Sequence, residues 1–186
     1  MNEIVEYIFE LGVMKRRQIS GFDHFMSYPS STLAAHSQRA AMIGMILADL
    51  EGADIQKVAM MLLIHETGEV RVGDTDNVAG QYRDPAEAEY RAVSDQNHKL
   101  PARLGQLFTE LYMELEGGET LEARVAKDAD LLEHAFSAKE YVDQGIQGGR
   151  AWLGNDDVLR TESGKRMLRE LRDTDSNAWW IRLNSM

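Results

Sequence analysis

Val58-Ala59-Met60-Met61-Leu62-Leu63-Ile64-His65-Glu66-Thr67-Gly68-Glu69-Val70-Arg71-Val72-Gly73-Asp74 carries more information than any other part of this 186-residue chain. An unbroken apolar run leads into one imidazole and the carboxylates of Glu66, Glu69 and Asp74. Charged side chains are rarely buried unless they are paired or bind a metal. Such a cluster at the end of a core helix therefore points to a divalent ion. If the helix continues through it, His65, Glu66 and Glu69 fall within an arc of about 100° and can face one point.

Working outward, helical periodicity dominates. Apolar residues at 4, 5, 8, 9 and 11 mark a first helix over 2–14. Ser20-Gly21-Phe22-Asp23 and Tyr28-Pro29-Ser30-Ser31 read as loops. Ser30, Ser31 or Thr32 caps the next helix, which places His36 in its first turn. Glu51-Gly52-Ala53-Asp54 is a turn and a new cap, opening the helix that ends in His65-Glu66. Asp84-Pro85 starts a helix rich in Glu and Ala, and Leu100-Pro101 starts another through Leu104, Leu107, Leu111 and Leu115. A long helix from about Glu119 to Val142 carries Asp128 and Asp130, and a further one covers much of 156–172. No strand pattern, repeat or linker appears. The expectation is all-α, with 1–186 as a single domain. Trp152 and the pair Trp179-Trp180 are read as core anchors rather than a subunit interface.

The formal net charge of −11 argues against a nucleic-acid polymer or a membrane surface as partner. Lys15-Arg16-Arg17 is the compact basic cluster, enough for one small phosphate-bearing ligand. There are no cysteines, so a metal would need nitrogen and oxygen ligands. The N-terminus has neither the basic start nor the apolar core of a signal peptide, and a cytoplasmic location is expected.

His36 can reach across to a neighbouring element, and Asp130 sits beside Leu131-Leu132, where a carboxylate needs a partner. Asp128 points about 160° away from Asp130 on the same helix, so the two do not share an ion. Two imidazoles and two carboxylates suit Mn, Fe, Co, Ni or Zn. The residues alone leave a solvated ion-pair cluster open beside the metal centre. His-Glu-x-x-Glu lacks the second histidine of zinc proteases. His24 and His98 read as structural, and His134 as a surface group or a support one turn from Asp130.

The ordered strings Ser31-Thr-Leu-Ala-Ala-His36-Ser, Ile64-His65-Glu66-Thr-Gly-Glu69-Val-Arg-Val-Gly-Asp74 and Ala126-Lys-Asp-Ala-Asp130-Leu-Leu-Glu resemble the HD-domain metal-dependent phosphohydrolases. Within them they are most similar to the small 5′-deoxynucleotidase-like branch, over most of the chain. The resemblance implies an HD-type helical bundle in which His36, His65, Glu66 and Asp130 bind one divalent ion (Mn, Co, Ni, Zn, Fe or Mg). It further implies that Glu69 and Asp74 serve catalysis and substrate binding, with a dimer as the assembly. Lys15, Arg16 or Arg17 would neutralise the phosphate of a small nucleotide.

Three positions depart from the family pattern. Glu66 stands where the family has Asp, which shifts the carboxylate's reach by about 1.5 Å. Ala35 replaces an acidic residue before the first histidine, and Ile19 stands at the arginine of an Arg-x-Gly-Trp segment. The Gly-Tyr-Pro signature of the cyclic-dinucleotide branch is absent. The leading expectation is a metal-dependent phosphomonoesterase acting on a (deoxy)nucleoside 5′-monophosphate. The departures motivate the rival, a metal- and nucleotide-binding sensor that no longer hydrolyses. A plain helical scaffold would bind no metal.

Overall fold

The helix boundaries follow the capping chemistry closely. In the computed structural model, which describes residues 1–27, 29–154 and 156–185, the helices are α1 (Asn2–Leu11), α2 (Leu33–Glu51), α3 (Ile55–Ile64), α4 (Glu69–Val72), α5 (Ala86–Asn97), α6 (Ala102–Gly117), α7 (Leu121–Asp143), α8 (Glu162–Asp173) and α9 (Ala178–Asn184). Tyr28, part of an expected loop, lies outside the described residues. Thr32, Asp54, Thr120 and Thr161 each accept a hydrogen bond from a backbone N–H of the helix they open, satisfying donors that the first turn leaves unpaired. Gly52 and Gly118 end α2 and α6 with φ of 73° and 66°, a left-handed conformation that glycine adopts without a Cβ penalty.

Helix α2 packs against both α3 and α7, and α6 and α8 close the same core. Leu47, Val58, Met61, Leu62, Val125 and Leu132 are fully buried there. Gly44 permits the close approach of α2 to α3: a Cβ at that position would stand 2.2 Å from Leu62 Cδ1. A second cluster gathers Met14, Ile19, Phe22, Leu33, Val70 and Ala138 at the N-terminal end of α2. Two backbone bonds, Ile19 N–H to Ser31 O (3.0 Å) and Leu33 N–H to Arg17 O (2.9 Å), tie the 12–24 segment alongside that end. No helix among the described residues is long and apolar enough to cross a membrane.

Several expectations need correction. The helix of the opening stretch stops at Ile64. Residues His65–Gly68 form a tight turn before α4, so His65, Glu66 and Glu69 do not lie on one regular helix. Ser20–His24 is a 3-10 turn, not an open loop, and Phe22 within it is fully buried. Helix α8 begins only at Glu162 because Asp128 and Thr161 organise the chain just before it. Trp179 and Trp180 are 63% and 45% exposed on α9. They are not core anchors. Trp152 does pack inward, against Phe22 at a ring-centroid distance of 5.0 Å. Ile8 and Phe9 on α1 are likewise exposed, whereas Tyr7 is buried.

Candidate metal centre

The fold brings His36 from the start of α2, His65 and Glu66 from the turn after α3, and Asp130 from the middle of α7 to one place. One ligand atom from each lies within 4.8 Å of all the others. His36 Nε2 stands 3.2 Å from His65 Nε2, 3.0 Å from Asp130 Oδ1 and 3.6 Å from Glu66 Oε1. His65 Nε2 is 3.0 Å from Glu66 Oε1 and 3.6 Å from Asp130 Oδ1. The extra methylene of Glu66 is absorbed by the turn, and its carboxylate still reaches both imidazoles.

Both rings are held from behind. His36 is fully buried, and its Nδ1 meets Glu133 Oε2 at 2.5 Å. Glu133 is in turn gripped through Oε1 by Arg39 Nε and Nη2 at 2.9 and 2.7 Å, and by the Ser137 hydroxyl at 3.1 Å. His65 Nδ1–H donates to the carbonyl of Leu62 at 2.8 Å. These partners suit a proton on Nδ1 of each ring, so that in the neutral form both Nε2 lone pairs are aimed at a common point. Two facing lone pairs and two carboxylates repel unless a positive charge sits between them. A divalent cation fits that donor set, and the nitrogen and oxygen ligands suit a hard or borderline ion.

The electrostatics express the same demand for positive charge. Burial works to lower the pKa of His36, yet Asp130 and Glu133 carry it up to about 9. Burial likewise opposes His65, which Glu66 and Asp130 push well above the ordinary imidazole value. Against the cost of burial, His65 holds Glu66 down at about 2. His36 and His65 hold Asp130 well below the usual carboxylate range in the same way.

Glu69 opens α4 beside this centre. Burial, together with the charges of Glu66, Asp74 and Glu89, pushes its carboxyl up to about 11, so it carries a proton at neutral pH. Its Oε2 is buried with no hydrogen-bond partner. Asp74 Oδ2 accepts from Ser20 N–H at 2.5 Å. Its pKa is nevertheless raised, because burial outweighs that bond. The basic cluster divides: Lys15 and Arg16 are exposed, whereas Arg17 reaches α4 and donates from Nη2 to Val70 O at 3.1 Å. His24 and His98 are exposed. His24 pairs with Asp76 at 3.3 Å, and His98 Nδ1–H donates to Ser94 O at 2.6 Å.

Three groups at the site escaped the sequence reading. Glu133 and Arg39 support His36; each lies three residues from a candidate ligand on the same helix face, a spacing that could have flagged them. Glu89 on α5 is pushed up to about 7, first by burial and then by Glu66 and Glu116, and no local spacing announces it. His134 turns out to be a packing partner of the centre. Its ring lies 4.5 Å from that of His36 and stacks on Trp152 at 5.4 Å, while Nδ1–H donates to Asp130 O at 3.1 Å.

Comparison with known proteins bears on this arrangement. The sequence profile of the HD domain matches residues 14–167. A protein of Dictyostelium discoideum, 5′-deoxynucleotidase HDDC2, is 30% identical over 156 residues, covering 79% of this chain and 82% of its own. The human 5′-deoxynucleotidase HDDC2 is 25% identical over 150 residues, covering 79% of this chain and 72% of its own. Among solved structures, a conserved hypothetical protein of Pyrococcus furiosus superposes with a TM-score of 0.77 at 28% identity, covering 91% of this chain and 99% of its own. A predicted metal-dependent phosphohydrolase of Magnetospirillum magnetotacticum superposes with a TM-score of 0.67 at 25% identity, covering 92% of this chain and 93% of its own. With the profile spanning all four candidate ligands, the chain belongs to the HD domain family.

Proposed function

We propose that this protein is a metal-dependent phosphomonoesterase that removes the 5′-phosphate from small deoxynucleoside monophosphates. The observation that carries the proposal is the convergence of the His36 and His65 Nε2 atoms with Glu66 Oε1 and Asp130 Oδ1, backed by partners that engage both Nδ1 atoms and leave both Nε2 atoms facing one point. The 5′-deoxynucleotidase name of the relatives supplies the substrate class. In this reading His36, His65, Glu66 and Asp130 hold one divalent ion, drawn from Mn, Co, Ni, Zn, Fe and Mg. Such an ion supplies Lewis-acid chemistry that polarises a phosphoryl oxygen and acidifies water.

The remaining roles belong to the chain's own residues. With positive charge at the centre offsetting Glu66, Glu69 would give up the proton it holds in the metal-free site, and its carboxylate, beside Glu66 with one buried oxygen unpartnered, would take the proton of the attacking water. Asp74, fixed by Ser20 N–H, binds the sugar or protonates the leaving 5′-oxygen. Glu133 and Arg39 keep the His36 ring in its working tautomer. Trp152 and His134 stack over one side of the centre and shield it from bulk water. Arg17, beside α4, is the member of the basic cluster suited to the phosphate. A nucleic-acid polymer is not among the substrates. The same reading takes residues 1–186 as one domain that works as a homodimer.

The test is phosphate release from a panel of nucleoside mono-, di- and triphosphates, after stripping the protein and restoring one metal at a time. Metal-dependent release confined to monophosphates, with deoxyribose preferred, is the expected result. Bound metal with no release from any nucleotide would contradict it.

A further inference from the structure

A cavity of about 180 Å³ opens beside the candidate metal centre, lined by His65, Leu115, Glu116, Lys127, Asp130 and Leu131. Two of the four candidate ligands therefore share a wall with one lysine. Lys127 lies three residues before Asp130 on α7, so the two side chains rise from the same helix face. Its ammonium donates to the carbonyl of Glu116, at the C-terminal end of α6, at 3.1 Å. Among the described residues no carboxylate pairs with it. An ammonium has three donors, so two remain for something else.

The charge around this cavity makes an unpaired cation notable. Glu66, Glu69, Asp74, Glu89 and Glu116 surround the centre, in a chain whose net charge is −11. A phosphate monoester brings further negative charge into that setting, and repulsion would keep it out without a local counter-charge. Arg17 sits beside α4, the helix that carries Glu69, and Arg83 sits on Thr75 and the Asp74 carbonyl. Both lie toward Asp74, whereas among the described residues Lys127 is the cation that borders the cavity lined by His65 and Asp130.

We propose that Lys127 is a phosphate-binding residue, its ammonium holding a non-reacting phosphoryl oxygen of the substrate at the mouth between α6 and α7. The inference rests on the phosphomonoesterase reading for its substrate but not for its anion. Lys127 swings from the Glu116 carbonyl, or adds to that bond, when the phosphate enters. It neutralises charge in the bound state and takes no proton.

The competing role is purely structural, a cation resting on the C-terminal carbonyls of α6. Lys127→Gln separates the two, because an amide keeps a donor for the Glu116 carbonyl while the charge is lost. The expected result is a rise in KM of roughly tenfold to a hundredfold, the usual worth of a charge-assisted hydrogen bond. The change in kcat should be much smaller, and metal content should match wild type. Inorganic phosphate, titrated calorimetrically into the metal-loaded protein, should weaken by a similar factor. Lys127→Arg should recover part of both. Lys165→Met, which removes a cation paired with Glu162 on α8, should change neither. Unchanged KM and phosphate affinity in Lys127→Gln, with only a lower melting temperature, would overturn the proposal. If wild type releases phosphate from no nucleotide, the phosphatase reading falls, and the phosphate titration still decides the role of Lys127.

Discussion

Asp128 and Asp130 are the same residue type, two positions apart on one helix, yet they face opposite fates. Asp128 is fully buried and saturated. Its oxygens accept from Arg160 N–H at 2.8 and 3.1 Å, from Thr161 N–H at 2.8 Å and from the Thr161 hydroxyl at 2.7 Å. Asp130 receives no such backbone set, and its buried Oδ1 lies against two imidazole nitrogens without a well-formed hydrogen bond. One face of α7 spends its carboxylate on anchoring the entry to α8. The other leaves its carboxylate available. Functional chemistry in this fold is marked less by charge than by what the surrounding backbone declines to satisfy.

The contrast can be broken most severely at Asp130. Asp130→Ala should reduce metal-dependent phosphate release to background while the circular dichroism spectrum is retained; full activity in this variant would end the ligand assignment. Glu69→Gln comes next. It should keep its metal and lose about 10²–10⁴-fold in kcat, the usual weight of a general acid–base group, as read by steady-state kinetics on the best monophosphate. Asp128→Ala should show the opposite profile: a loss of about 3 kcal/mol in denaturant unfolding, because three donors lose a buried carboxylate, with metal content unchanged in the folded protein. If it loses metal without losing stability, the division between the two faces is wrong.

Smaller effects sharpen the same picture. Glu133→Gln should weaken metal binding about 10–100-fold, since the amide holds the His36 ring less firmly than the carboxylate does. A control far from the centre is Glu10, which binds Arg71, Lys99 and Gln96. Led by the bond to Arg71, these partners lower its pKa to about 2. A depressed carboxylate pKa stabilises the fold above the unfolded value, near 4.5, and that contribution fades as pH falls toward 2. Glu10→Gln should therefore cost on the order of 1 kcal/mol at pH 7, after allowance for solvent screening. The gap from wild type should close on acidification, in thermal melts taken at several pH values.

Much of this was legible from residue order, because helix capping and apolar periodicity are local. Thr32 and Asp54, both available from sequence, do cap α2 and α3, and Asp128 does point away from Asp130. The candidate ligand residues were also nameable, since each sits in a short string with a recognisable pattern. What residue order hid was tertiary. The helical arc predicted for His65, Glu66 and Glu69 failed because the chain turns at His65, where the packing of α4 on α5 overrides helix continuation. Trp179 and Trp180 looked like core because large aromatics bury apolar area, but α9 leaves both exposed. Glu89 comes from a helix with no motif of its own, and Lys127 stands inside the Ala126–Glu133 string with nothing local to say that it faces the centre. They matter only because α5, α6 and α7 bring them beside the centre.

The most direct test of the account is a metal titration of stripped wild-type protein, run beside Asp130→Ala and followed by calorimetry and elemental analysis. The wild type should bind one divalent ion per chain and the variant none, with both proteins folded. Equal metal binding by the two, or none by the wild type, would contradict it.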